Sequence, residues 1–248
     1  MSGGRNPVVR IAMWSGPRNL STAMMRSFGA RADTSCIDEP FYAAYLAITG
    51  LDHPMRDEII AAHPTDPYAI ATEMAAGAPA TPIVYQKHMT HHMIADVPRD
   101  WMAYVTNAFL VRHPARVLAS YARKMDEVSL EAIGFAQQAE LFDQAAQRAG
   151  HAPVVVDSDD ILRDPRGVLM ALCAALGIPF DAAMLHWAPG PRAEDGVWAP
   201  HWYDAVWQST GFADPPGPLP TLPLELVAVL EQALPIYERL SAHKIGAA

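Results

Sequence analysis

What this chain has little of narrows it first. Only two cysteines, Cys36 and Cys173, occur in 248 residues, far apart in sequence. Two isolated thiols make neither a disulfide framework nor a zinc spacing, so both read as reduced core residues. No run approaches the ~20 apolar residues that span a bilayer, and no membrane partner is expected. Basic residues are outnumbered by acidic ones, 18 against 27, for a net charge of -9. A nucleic-acid partner wants the opposite balance and is not expected either. The first residues lead into a strand with no cleavable-signal pattern, so the expected location is cytoplasmic.

Two nucleotide motifs are also missing. A magnesium-dependent P-loop reads G-x-x-x-x-G-K-[ST], but here Gly16 is followed five places later by Ser21, with Thr22 where the lysine belongs. The dinucleotide pattern G-x-G-x-x-G is absent as well.

What is present is globular: 51% hydrophobic against 18% charged residues is enough for a core. The expectation is a single domain over 1–248, with a long irregular loop at 187–220 and a C-terminal helix at 221–243. Five apolar stretches read as strands: 8–14, 34–38, 82–86, 107–111 and 152–156. Pro40 biases Glu39 toward an extended conformation at the end of the second. Between the strands lie helical stretches at 21–29, 114–124 and 129–149, and a Pro-punctuated helical region at 41–80. Pro235 is expected to kink or split the last helix. Strands alternating with helices at this spacing indicate βαβ units and an α/β fold around a mostly five-stranded parallel sheet.

The chemistry concentrates where the first strand meets the first helix. Ser15-Gly16-Pro17-Arg18-Asn19-Leu20-Ser21-Thr22 is a tight polar turn between them. Backbone N–H groups of such a turn, and the free ones of the helix start, converge on one point that favours an anion. Arg18 adds a permanent cation and Ser21 and Thr22 add hydroxyls; the plain alternative is an ordinary turn with Ser21 as helix cap. Far along the chain, Arg112 ends the fourth strand and Ser120 lies eight residues on. At ~1.5 Å rise per residue that is about 12 Å along a helix axis, near enough for both to address a second phosphate group.

The pattern Ser-Gly-Pro-Arg-x-x-Ser-Thr, then Phe109 to Tyr121, then Asp160-Ile161-Leu162-Arg163-Asp164-Pro165 before Leu176-Gly177-Ile178-Pro179, resembles the sulfotransferases that use 3′-phosphoadenosine 5′-phosphosulfate (PAPS). The tail, including Glu194 to Pro200 and Ser209 to Phe212, is similar to a subgroup also found as the front part of plant proteins labelled branched-chain aminotransferase-like. The resemblance implies a P-loop NTPase-like three-layer sandwich and a sulfuryl transfer from PAPS to a hydroxyl or amine of a small molecule, without a metal. It implies that Ser15 to Thr22 bind the 5′-phosphosulfate, that Arg18 contacts the transferring group, and that Arg112 and Ser120 bind the 3′-phosphate. Leu20 stands where many members have glycine, and Asn19 where serine is frequent. A nucleotide-binding sensor or scaffold without turnover, and a P-loop kinase or hydrolase, are the alternatives; a homo-oligomer is left open.

Sulfuryl transfer needs a general base near the acceptor. His88, close after Lys87, lies near where cytosolic sulfotransferases carry a catalytic histidine. Glu39, in Asp38-Glu39-Pro40-Phe41, resembles the Glu-Pro-Phe of bacterial and carbohydrate sulfotransferases; otherwise it is an ion-pair partner of Arg18 or Lys87. The spacing of His88, His91 and His92 also admits a metal site, but no acidic motif accompanies it and no metal is expected. Trp198, Trp202, Tyr203 and Trp207 line a pocket or pack a satellite core.

Overall fold

The computed structural model describes residues 8–125 and 127–246; the ends of the expected domain, 1–7 and 247–248, lie outside them. Its centre is the first apolar stretch, β1 (Val9–Ser15), which has a parallel partner on each side. A near-continuous apolar run is what a strand buried on both faces requires. After α1 (Ser21–Gly29) come β2 (Thr34–Asp38), α2 (Tyr42–Thr49), α3 (Arg56–Ala62), α4 (Pro67–Ala76) and β3 (Ile83–Met89). Then follow β4 (Thr106–Val111), α5 (Pro114–Tyr121), α6 (Phe135–Ala149), β5 (Val154–Asp157), α7 (Ser158–Arg163) and α8 (Pro165–Ala175). Two single-turn helices, α9 (Ala199–Trp202) and α10 (Asp204–Trp207), precede α11 (Leu224–Ser241).

The five strands make one parallel sheet in the order β2-β3-β1-β4-β5. Alternation along β1 divides the core. Ile11 and Met13 pack with Phe28 of α1 and Leu169 and Leu172 of α8, while Ala12 and Trp14 pack with Met74 of α4 and Leu141 of α6. Helices therefore cover both faces, the α/β architecture expected. The chain leaves β1 toward β2 and β3 on one side, and returns to β4 and β5 on the other. This reversal of strand order leaves a crevice at the carboxyl ends of β1 and its neighbours, where open α/β sheets bind ligands.

Four local expectations differ from the structure. The helix expected over 129–149 begins only at Phe135, because Gly134 takes a left-handed φ of 71° and a Cβ there would come within 2.6 Å of Thr90 Oγ1. β3 continues past Gln86 to Met89, paired with β1 throughout, so Lys87 and His88 belong to the sheet. Pro235 does not split α11, which is one helix anchored by buried Leu226, Ala233 and Leu240. The 187–220 stretch carries α9 and α10, and its Trp198 and Tyr203 pack with Tyr42, Leu46 and Ile59 in a satellite core. No helix among the described residues is long and apolar enough to cross a membrane.

Candidate active site

The turn after β1 is held in a conformation that its residue types do not favour. Arg18 and Leu20 have φ of 59° and 62°, left-handed values that cost a side-chain-bearing residue about 1–2 kcal/mol. Position 20, where the resemblance leads one to expect glycine, is thus a left-handed site, and the packing of Leu20 against the α1–α8 core compensates for its missing freedom. Asn19 pins the turn from below: its Nδ2 donates to the Leu110 carbonyl (2.7 Å) and its Oδ1 accepts from Ser158 Oγ (2.6 Å). Gly16 sits so close to the Ile133 carbonyl that a Cβ would lie 2.5 Å from it. Leu20, not Ser21, is the residue preceding α1, and no side chain caps that helix. Its first N–H groups are therefore free to meet a ligand.

The turn forms one wall of a cavity of about 310 Å³. Pro17 through Thr22 line it; Ser15 and Gly16 lie behind, with Ser15 fully buried in β1. Arg112 and Ser120 line the same wall. Ser120 Oγ accepts from Arg18 Nε (2.9 Å), and Arg112 donates to the Arg18 carbonyl (2.6 Å), so Ser120 meets Arg18 directly. Burial lowers the pKa of both guanidinium groups from the usual arginine value. Among the described residues neither has a carboxylate at ion-pair distance; Asp159, whose charge Arg112 feels, is held by Arg116 at 2.8 Å. Arg112 Nε is buried without a hydrogen-bond partner among the described residues. Two desolvated cations and an orphaned donor are expensive unless an anion completes them.

The opposite wall carries a buried charge network. Asp38 and Lys87 are partners in the β2–β3 register, and Glu39 follows at the strand end. Lys87 Nζ donates to Asp38 Oδ1 (2.8 Å) and to Glu39 Oε1 (2.5 Å). From the 187–220 stretch, Tyr203 accepts from Lys87 (2.6 Å) and from Trp198 Nε1 (3.0 Å), and donates to Asp38 Oδ2 (2.7 Å). Burial pushes the Glu39 carboxyl above its ordinary range; Lys87 pulls it back and Asp38 adds to the rise. Burial acts to lower the Lys87 ammonium, but the two carboxylates outweigh it and the net shift is upward. Glu39 is not extended as Pro40 suggested: its φ is 43°, because its N–H is fixed on the Lys87 carbonyl and its own carbonyl accepts from Tyr42.

His88 lies elsewhere. Strand alternation turns it away from Lys87, onto the face where it stacks on Trp14 (ring centroids 4.5 Å) and contacts Gln86 Oε1 (3.1 Å). It is 1% exposed and does not line the cavity, and burial drops its pKa to about 3. The geometry therefore leaves Glu39, and not His88, within reach of a ligand in the cavity. Among the described residues no three His, Cys, Asp or Glu side chains converge as metal ligands, and His88 is separated from the cavity-lining His91 and His92. All four tail aromatics pack in or against the satellite core, and two of them, Trp202 and Tyr203, also line the cavity. In the sequence Tyr203 reads as one of the aromatics that line a pocket or pack a satellite core, and Lys87 as an ion-pair partner of Glu39, but neither Lys87 nor Asp38 is placed in the site.

Similarity to known proteins points the same way. The family described as sulfotransferase domain matches residues 9–244. The chain is 38% identical over 233 residues to branched-chain-amino-acid aminotransferase-like protein 1 of Arabidopsis thaliana, with 94% of this chain and 42% of that protein aligned. It thus spans about two-fifths of that relative's length. In fold it is similar to the sulfotransferase domain from the curacin biosynthetic pathway (TM-score 0.51, 17% identity, 96% of this chain and 98% of that one). It is equally similar to a sulfotransferase from Alicyclobacillus acidocaldarius (TM-score 0.51, 13% identity, 96% and 95% covered). With 236 consecutive positions matched by the family pattern on a parallel five-stranded α/β sheet, the chain belongs to the sulfotransferase domain family.

Proposed function

We propose that the protein transfers a sulfuryl group from PAPS to a hydroxyl or amine of a small-molecule acceptor. One observation carries the reading: two partly buried guanidinium groups, without carboxylate partners among the described residues, share a cavity with an uncapped helix start and a carboxylate–ammonium pair. The orphaned Arg112 Nε fits an anionic donor on that wall. The α1 start, Thr22 and Arg18 would hold the 5′-phosphosulfate, and Arg112 with Ser120 the 3′-phosphate.

The donor supplies an electrophilic sulfur whose bond to a phosphate oxygen breaks as the acceptor oxygen or nitrogen bonds to it, the electron pair leaving on the phosphate. The chain's own work is positioning and charge stabilisation, as in phosphoryl transfer. Arg18 spreads a permanent positive charge over the departing oxygens. Glu39 takes the acceptor's proton on its carboxylate. Asp38, Glu39 and Lys87 together carry one net negative charge, so gaining that proton makes the buried cluster neutral, which burial favours. Lys87 holds the carboxylate in place meanwhile, and Tyr203 holds Asp38 beside it.

Thermal unfolding with 3′,5′-adenosine bisphosphate, compared with ATP-Mg, tests the reading. At about 100 times its dissociation constant the bisphosphate should add about 2.7 kcal/mol. Stabilisation by ATP-Mg alone overturns the donor assignment. Arg112→Ala should weaken bisphosphate binding about 10- to 100-fold, the worth of one charged hydrogen bond, with little change in the unliganded midpoint. Binding by the wild type without transfer to any acceptor in a broad panel favours a sensor instead.

A further inference from the structure

The tail stretch Glu194 to Pro200 does not line the cavity, and no step above uses it. Asp195 explains its place. Arg26 of α1 faces both of its carboxylate oxygens: Nη2 donates to Oδ2 (2.7 Å) and Nη1 lies 2.7 Å from Oδ1. The two side chains are 1% and 4% exposed. Oδ2 also accepts from Trp207 Nε1 (3.0 Å) and from the Arg192 N–H (2.9 Å), while the Trp207 carbonyl accepts from the Gly190 N–H (2.7 Å). Both ends of the 190–207 stretch are thus gathered at Arg26. Between them the stretch carries Trp202, Tyr203, Ala205 and Val206 into the cavity.

Burial acts to raise the Asp195 carboxyl, but Arg26, the Arg192 N–H and Trp207 outweigh it and hold the group below its ordinary range, so the pair is ionised. The desolvation of a buried ion pair can exceed its attraction, so its use lies less in stability than in a single fixed orientation. Here that orientation relates two walls of one cavity. Arg26 stands four residues after Thr22, about 6 Å along the helix, and Thr22 lies at the α1 start that faces the proposed donor. No side chain caps that start, and an anion bound there restrains it. What restrains one end of a helix restrains the side chain a turn along. Among the described residues Arg26 is the one α1 side chain that hydrogen-bonds to the 190–207 stretch. The second anchor of the stretch, Asp38, belongs to β2 and not to α1.

We propose that Arg26 and Asp195 are positioning residues that tie the acceptor wall at 202–206 to the donor end of α1, so that a donor bound there steadies the wall through this pair. The proposal rests on the sulfuryl-transfer reading for the identity of the donor, and it deepens that reading by linking the two halves of the cavity.

Hydrogen–deuterium exchange of the full chain, with and without saturating 3′,5′-adenosine bisphosphate, tests it. In the wild type the bisphosphate should slow exchange by about fivefold or more both at 20–25 and at 195–207, the lower end of ordinary coupling between sites. Asp195→Asn keeps the side-chain shape, and Glu194 at 3.8 Å remains as a counter-charge for Arg26. This variant should keep the slowing at 20–25 and bring that at 195–207 below about twofold. Should it fail to fold, Arg26→Met combined with Asp195→Leu removes both charges at once, a change that folded proteins commonly tolerate, with the same expectation. A pair that only stabilises the fold gives a variant that exchanges faster throughout, with or without ligand, and leaves the ligand's effect on 195–207 intact; that result overturns the proposal. Slowing confined to 20–25 in the wild type overturns it as well. No slowing at either segment overturns the donor reading, and the proposal with it.

Discussion

At the scale of single residues the site is a set of side chains whose usual partners are withheld or shared. Among the described residues Arg18 and Arg112 lack carboxylates, whereas Lys87 has two, one of which Tyr203 also binds. Tyr203 is therefore a positioning residue, and its hydroxyl contributes to keeping Glu39 ionised. Tyr203→Phe should move the acid limb of the kcat/KM pH profile upward, because a donor to the carboxylates is lost. It should also cost about 1–3 kcal/mol, since Trp198 Nε1 and one Lys87 proton lose a buried acceptor. A profile unchanged in position, with only stability lowered, limits Tyr203 to packing. None of this could be read from Tyr203 in the sequence, where it is one aromatic among several in a Pro-rich stretch. It lies 116 positions from Lys87, and only folding brings them to 2.6 Å.

At the scale of elements, the turn between β1 and α1 was legible because its signals are local: an apolar strand, a glycine, a proline and the start of a helix. What the turn rests on was not legible. Gly16 is a point of contact with the Ile133 carbonyl in the turn before α6. Gly16→Ala forces two backbone segments apart, and urea unfolding should show a loss of about 1–3 kcal/mol, the usual range for overpacking. Donor binding should weaken with it, because the same shift moves the α1 start. A variant as stable as the wild type shows that the contact gives way freely. The helix expected from residue 129 failed for a related reason. Leu130 and Ile133 do pack inward, but from turns that close at left-handed Gly134 rather than from a helix.

At the scale of the whole molecule, burial of neutral histidines couples stability to pH. His88 is almost fully buried with a pKa of about 3, and His91 is near the same value. Unfolded histidines take up protons below about 6.5, while these folded ones do not, so the unfolded state binds more protons as pH falls. Stability should thus be full above pH 6.5 and decline as the pH drops from there toward 3, by about 1.4 kcal/mol per pH unit for each such histidine. Urea unfolding at several pH values between 7 and 4 measures the slope. His88→Phe, which suits the cage of Trp14, Phe41 and Trp101, should flatten it by about one proton. An unchanged slope shows that His88 titrates normally in the folded chain.

The sequence by itself determined the class of fold and the place of the anion-binding turn, because apolar runs, their spacing and the strand–turn–helix transition are properties of neighbouring residues. It also carried the family pattern along almost its full length. Only the tertiary structure decided which side chains face the cavity. Strand order places Asp38 beside Lys87, the parity of β3 sends His88 into the core and Lys87 to the cavity, and a distant loop delivers Tyr203. Those choices depend on register and pairing between segments far apart in the chain, and a one-residue slip in β3 exchanges Lys87 for His88.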